Sequence, residues 1–264
     1  MSKNTRWLAG LALLLALVGC GGGGGGGGGD SDPTPPVLPQ GIWRATGVDG
    51  TLAVMVLPET NGGTVWAVGR SSDQTTTSLY QASVSASGQT FAGTGTALTV
   101  VGTASPTSTP SLTVTLAAGS PAGQTMSFAL NGEIGALDYG SHYDTPATLT
   151  TSTGTTTLWS GTWSSSQSVQ GLGSLVTQWT VGTDGVISGS GTGGCSYTGT
   201  VGLRAEGKAL VDVALTETCG STVRQFSGIG APGLNENGDV VGRLVVLRRD
   251  DGQSFSVMQW GPPR

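Results

Sequence analysis

ALVDVALT, residues 209–216, decides the fold class. Leu210, Val211, Val213 and Leu215 surround one charged residue, Asp212, in clean alternation. A period of two belongs to a strand with one covered face, and it places Asp212 on the solvent side. Runs of the same kind recur towards the C-terminus: LWSGTWSS (158–165), SLVTQWTVG (174–182), GVISGSG (185–191), CSYTGTVGL (195–203), TVRQFSGIG (222–230), VVGRLVVLRR (240–249) and SFSVMQW (254–260). Upstream they are GIWRATG (41–47), TLAVMVL (51–57), GTVWAVGR (63–70), TTSLYQASVS (76–85), TFAGTGTALTVV (90–101), SLTVTLAA (111–118) and QTMSFAL (124–130). Turn residues separate them, and Asn237-Gly238 is a strong hairpin signal. No segment carries a helical period. The expected fold is all-β, with two small antiparallel barrel or sandwich modules in tandem.

The halves echo each other. Gly41-Ile-Trp43 opens one and Gly161-Thr-Trp163 the other, and Phe91-Ala-Gly-Thr-Gly95 parallels Phe226-Ser-Gly-Ile-Gly230. Glycine two residues after an aromatic suits close strand crossing. The first module is expected over 41–150 and the second over 151–264, joined by a connector of about Gly132 to Thr156. ASPTSTP (104–110) reads as a loop, because proline disrupts central pairing.

The N-terminal forty residues read differently. Lys3 and Arg6 precede an apolar run from Trp7 to Gly19, too short to cross a bilayer. A basic start, a short apolar core and small residues at its end describe a signal peptide, here residues 1–19. Leu17-Val18-Gly19-Cys20 resembles the bacterial lipobox. The resemblance implies cleavage before Cys20, a diacylglyceryl thioether on its thiol and acylation of the new amino group. Three chains would hold a membrane stably. Gly21 in place of Asp leans towards the outer membrane. Gly21 to Gly29 then behave as random coil, spanning roughly 17 Å root-mean-square, and the prolines of DSDPTPPVLPQ (30–40) favour an extended course. Residues 20–40 are therefore expected to be a disordered, lipidated tether. Glycine-rich tethers of this kind resemble those of surface lipoproteins such as factor H-binding protein and transferrin-binding protein B.

Charge narrows the function. The precursor carries −5; losing Lys3 and Arg6 leaves nine basic residues against 16 acidic. Lys208 is then the sole lysine, so a basic stripe for nucleic acid is absent. Arg248-Arg249 followed by Asp250-Asp251 reads as a strand end and polar turn. With Cys20 assigned to lipid, Cys195 and Cys219 form an even pair in an oxidising compartment, and a structural disulfide is expected.

A search for chemistry yields little. His142 is the sole imidazole and no G-x-S-x-G elbow occurs. The DYGSHYD stretch (138–144) either cradles a cation with Asp138 and Asp144 or is a polar loop between modules. Asp184, Glu206, Asp212 and Glu217 are the carboxylates open to glycosidase-type work. Tryptophans fill β cores but also line ligand sites, so Trp159, Trp163 and His142 stand as candidates for facing a ligand. No metal or cofactor is expected.

Five motifs also carry a resemblance: Tyr143-Asp-x-Pro-Ala-x-Leu149, Gly161-Thr-Trp163, Asp184-Gly-x-x-Ser-Gly189, Gly194-Cys-x-Tyr-x-Gly199, and Val211-Asp-Val-x-Leu215 before the second cysteine. Together they resemble a group of uncharacterised two-module, Gly/Thr/Ser-rich proteobacterial β lipoproteins, from about Tyr143 onward. The group implies structural roles for these motifs and no catalytic residue. The expected function is a non-catalytic binding or interaction module anchored by lipid in the envelope, with a protein or glycan ligand. The alternatives are a periplasm-facing structural lipoprotein and, behind it, an envelope polysaccharide hydrolase.

Overall fold

The structure, a computed structural model, describes residues 35–264 apart from 47–49, 61, 74, 102–106, 118–124, 131–132, 145–147, 152–153, 170–172, 205–207, 235–239, 253–254 and 261–264. The lipobox, Cys20 and the glycine run lie outside the described residues. Residues 36–264 form one compact unit.

Its first half is a closed antiparallel barrel of eight strands. These are β1 (Gly41–Thr46), β2 (Thr51–Glu59), β3 (Gly62–Arg70), β4 (Thr76–Ser87), β5 (Thr90–Val101), β6 (Thr107–Ala117), β7 (Thr125–Leu130) and β8 (Glu133–Tyr139). Each strand pairs with the next, and β1 closes the ring on β8 through Trp43↔Tyr139 and Ala45↔Leu137. A closed ring leaves no unpaired edge. The interior is filled by side chains of one parity, among them Trp43, Val54, Val65, Phe91, Leu116 and Leu137. Together they form a packed core.

A short hairpin of β9 (Thr148–Thr151) and β10 (Gly154–Thr157) separates the halves. The second half is an eight-stranded antiparallel sheet in sequential order. Its strands are β11 (Gly161–Val169), β12 (Gly173–Val181), β13 (Val186–Gly191), β14 (Cys195–Leu203), β15 (Val211–Cys219), β16 (Thr222–Leu234), β17 (Val240–Arg249) and β18 (Phe255–Trp260). The sheet curls until its outer strands β11 and β18 meet, without a ladder between them among the described residues. Trp163, Trp179, Ile187, Tyr197, Val213 and Leu247 fill its concave side.

The two modules share a third apolar cluster. Met55, Leu57, Trp66 and Leu79 point outward from the barrel and meet Leu210, Ile229 and Val246 on the convex side of the second sheet. This explains two unbroken apolar runs. Residues 54–57 (Val-Met-Val-Leu) and 244–247 (Leu-Val-Val-Leu) are covered on both faces, so their burial does not alternate as a half-solvated strand would.

Three expectations change. The connector was expected to start near Gly132, but Glu133–Tyr139 is the strand that closes the barrel, and Leu137 is wholly buried in it. Its Gly and Asp disguise it: Gly135 lies flat beneath the ring of Phe128, where a Cβ would come within 2.5 Å of Cε1. The expected loop 104–110 ends earlier, because β6 begins at Thr107. Pro110 sits where the β5–β6 register shifts between Gly95 and Ala97, and a bulge spares it a ladder bond. The module boundary at 150 falls inside the β9–β10 hairpin.

The internal echo is real at the module openings. Trp43 donates its indole N–H to the Pro39 carbonyl at 2.9 Å, and Trp163 donates to the Trp159 carbonyl at 3.2 Å. Both bonds reach back four residues and begin the first strand of an eight-stranded set. The Phe-Gly-Gly echo does not correspond, since Phe91 lies in the fifth strand of its module and Phe226 in the sixth. Its glycines nonetheless do what was expected. A Cβ on Gly93 would lie 1.8 Å from the Ser83 carbonyl oxygen, and one on Gly228 1.9 Å from that of Val246.

Candidate functional site

The seam between the modules begins as a set of side chains that neither core needs. On β1 and β3 the inward parity carries Trp43, Val65 and Ala67, so Arg44, Val68 and Arg70 face out. Beside them stands Met55 of β2, and Leu52, on the inward parity of Val54 and Val56, also lines the groove. Across the seam β16 and β17 offer Ala231, Pro232 and Leu244. Pro232 is tolerated because β16 has run past its last β15 partner, Val211↔Gly230, and keeps only β17 beside it. The two walls enclose a groove of about 330 Å³.

The groove is aliphatic with two cations at its rim. Arg44 is exposed and Arg70 half-buried. No acidic residue lines it, and neither guanidinium has an ion pair or hydrogen bond among the described residues. Asp138 stands opposite Arg44 in the β1–β8 ladder, but its Oδ1 accepts from the Thr125 hydroxyl at 3.0 Å.

Polar contacts also cross the seam. Asp144 follows β8 in a single 3₁₀ turn, Ser141–Asp144. It accepts from Tyr139 Oη at 2.8 Å and pairs with Lys208 Nζ at 2.8 Å. Tyr143 packs into the shared cluster beneath that Lys208, whose Nζ is 5.9 Å from the ring centroid. Further along, Arg204 Nη2 donates to the Pro58 carbonyl at 3.3 Å and Arg248 Nη1 to Gln81 Oε1 at 2.8 Å. Hydrogen bonds from Lys208 and Tyr139 hold the Asp144 carboxyl below the ordinary carboxylate range, against a smaller opposing effect of burial. Its contribution is therefore present above pH 4 and is lost as pH falls through the lowered value. The pair is half-exposed, so Asp144→Asn is expected to cost less than about 1 kcal/mol at neutral pH. Urea unfolding at pH 5 and pH 2.5 should then show a smaller acid loss for the variant than for the parent.

The residues singled out from the sequence fall elsewhere. Trp159 and Trp163 are buried in the second module, 2% and 7% exposed, so they present no aromatic patch to solvent. Trp159 precedes β11, and its carbonyl accepts the indole N–H of Trp163. His142 belongs to the 3₁₀ turn by its backbone; its side chain lies outside the described residues. Cys195 and Cys219 are joined, directly opposite one another in the β14–β15 ladder. They also complete the one cluster of three metal-type ligands among the described residues, with Glu217, and the disulfide takes both thiolates out of it.

Three of the four carboxylates answer to a local partner. Asp184 accepts from the Val186 amide at 3.1 Å within its own turn. Asp212, on the solvent face as expected, pairs with Arg204 at 2.8 Å. Glu217 takes the Tyr197 hydroxyl and Arg224. Glu206 lies outside the described residues.

One further residue was not foreseen. Arg243 of β17 points into the second module and is 5% exposed. Its guanidinium carbon sits 4.0 Å from the Trp163 ring centroid and 5.3 Å from that of Trp159. Its hydrogen-bond acceptor is the Gly242 carbonyl at 2.8 Å, and its Nε has none. Burial pulls the guanidinium down to about 10, so it stays charged at neutral pH. In sequence, Gly-Arg-Leu-Val-Val-Leu holds the only clue: an arginine at the same parity as Val245 and Leu247.

Comparison of the chain with protein-family models, curated proteins and solved structures finds no match.

Proposed function

We propose that this chain is a lipid-anchored protein of the cell envelope, seated in the outer membrane, that works as a non-catalytic binding module. The groove between the modules would be its recognition surface. One observation carries the reading: two arginines, without ionic partners among the described residues, stand over an aliphatic groove walled by both modules. A concave, mainly apolar groove with a few polar groups converging on it is the usual form of a ligand site. The lipobox Leu17-Val18-Gly19-Cys20 and the glycine run behind it support the anchor.

Metabolic labelling with an alkyne palmitate tests the anchor. The expected result is labelling of the parent and none of Cys20→Ala, which should also leave the membrane fraction. Equal labelling of both would overturn it. Protease shaving of intact cells then separates the two faces. Digestion without lysis supports recognition outside the cell, whereas protection until the outer membrane is opened favours the periplasm-facing structural role.

A further inference from the structure

The groove also indicates what it binds; this inference rests on the groove being the recognition surface and is independent of the anchor. We infer that its occupant is a single-chain fatty carboxylate, the alkyl chain lying between the modules and the head group between Arg44 and Arg70.

Three features carry this. First, the walls are aliphatic. Met55 and Val68 stand across from Leu244 and Ala231, Leu52 of the inward parity also lines the groove, and among the described residues no aromatic ring lines it to stack a sugar or a base. Second, its barrel wall is a strand face inside a closed sheet, not a free edge. The backbone groups of β1, β2 and β3 are spent in their ladders there, so an added peptide strand would find no hydrogen bonds on that side. Third, among the described residues that line it, the charge lies at one end only. Arg44 and Arg70 lie on one outer surface, related through Arg44↔Ala53↔Val68 with Arg70 two residues further along β3. An alkyl chain satisfies the walls and one carboxylate satisfies the rim, by the charge-assisted bonds guanidinium makes best. A groove of about 330 Å³ lies at the small end of ligand sites, which suits one chain better than the two of a membrane phospholipid.

The test uses the full chain carrying Cys20→Ser, so that no acyl chain of its own competes. Dodecanoate, dodecanol and dodecyltrimethylammonium are titrated below their micellar concentrations, with heat as the readout. Dodecanoate is expected to bind at one saturable site. The Arg44→Gln/Arg70→Gln double variant should weaken it at least about tenfold, as expected for losing charged hydrogen bonds. Dodecanol should bind more weakly than dodecanoate and be indifferent to that change. Both arginines reach solvent, so folding should be kept, as circular dichroism would show. Ala53→Trp, which fills the groove and leaves the charges, should abolish binding of the acid and the alcohol alike. No saturable heat, equal affinity for the trimethylammonium chain, or an unaffected double variant would each overturn the inference. Extraction of a two-chain phospholipid from vesicles in preference to dodecanoate would also overturn it. Failure of palmitate labelling, by contrast, removes the anchor and leaves this result standing.

Discussion

Trp163→Ala is expected to destabilise the chain by about 4 kcal/mol, within the range for removing a large buried aromatic. Part of the loss is the cavity beneath β11, where Trp163 is 7% exposed. A second part is electrostatic. Arg243 loses the ring 4.0 Å from its guanidinium and retains one carbonyl acceptor, at Gly242, beside the more distant Trp159 ring. A buried cation stripped of its partner is among the costlier defects a core can carry. Arg243→Met should behave in the opposite way. It removes a charge that burial already disfavours and keeps an apolar stem, so it should be neutral or stabilising by about 1–2 kcal/mol. The decisive measurement is the double-mutant cycle by urea unfolding. Trp163→Ala should cost at least about 1 kcal/mol less in the Arg243→Met background. Strict additivity would show that the ring and the guanidinium are neighbours without being coupled.

Replacing Cys195 and Cys219 together by serine is expected to cost about 3 kcal/mol. The bridge closes a loop of 24 residues, for which the chain-entropy estimate is about 3.5 kcal/mol. The ladder around it reduces that figure little, because β14 and β15 pair from Cys195↔Cys219 to Leu203↔Val211 only in the folded chain. Denaturant unfolding with and without reductant should separate by this amount in the parent and not at all in the double serine variant. The effect should concentrate in the second module. The barrel of β1–β8 contains no cysteine, and a probe at Trp43, inside the barrel, would report on it separately.

Much of the strand order was legible because its cues are local. Alternation in ALVDVALT needs no knowledge of what covers the strand, and Val211, Val213 and Leu215 do face inward. β8 was missed because its apolar pattern is thin: Gly135 stands where a neighbour's ring, Phe128, supplies the bulk. That substitution of one residue's volume by another's is a tertiary fact. The groove was hidden for the same reason. Arg44 and Arg70 look like ordinary solvated charges 26 positions apart, and only the β1–β2–β3 register puts them on one surface beneath β16 and β17. A subtler signal did exist. Val54–Leu57 and Leu244–Leu247 are apolar on both faces, which a free-standing module would not permit, and they are the strands that meet. Arg243 broke the pattern in the other direction, as a charge on an inward position whose aromatic neighbours lie some eighty residues away.

The chain comes to the barrel at one end of β1, where Leu38 packs against Gly63 and Pro39 holds Trp43. Arg44, Thr51 and Arg70 lie at the other end of the same three strands. A pull between the N-terminal side of the chain and an occupant of the groove would run lengthwise along β1. That strand is laddered on both sides, to β2 and to β8. Tension would load those ladders in shear, all bonds at once, where a sideways pull would open them one at a time like a zip. The closed barrel is thereby a strand-to-strand mechanical coupling as well as a scaffold.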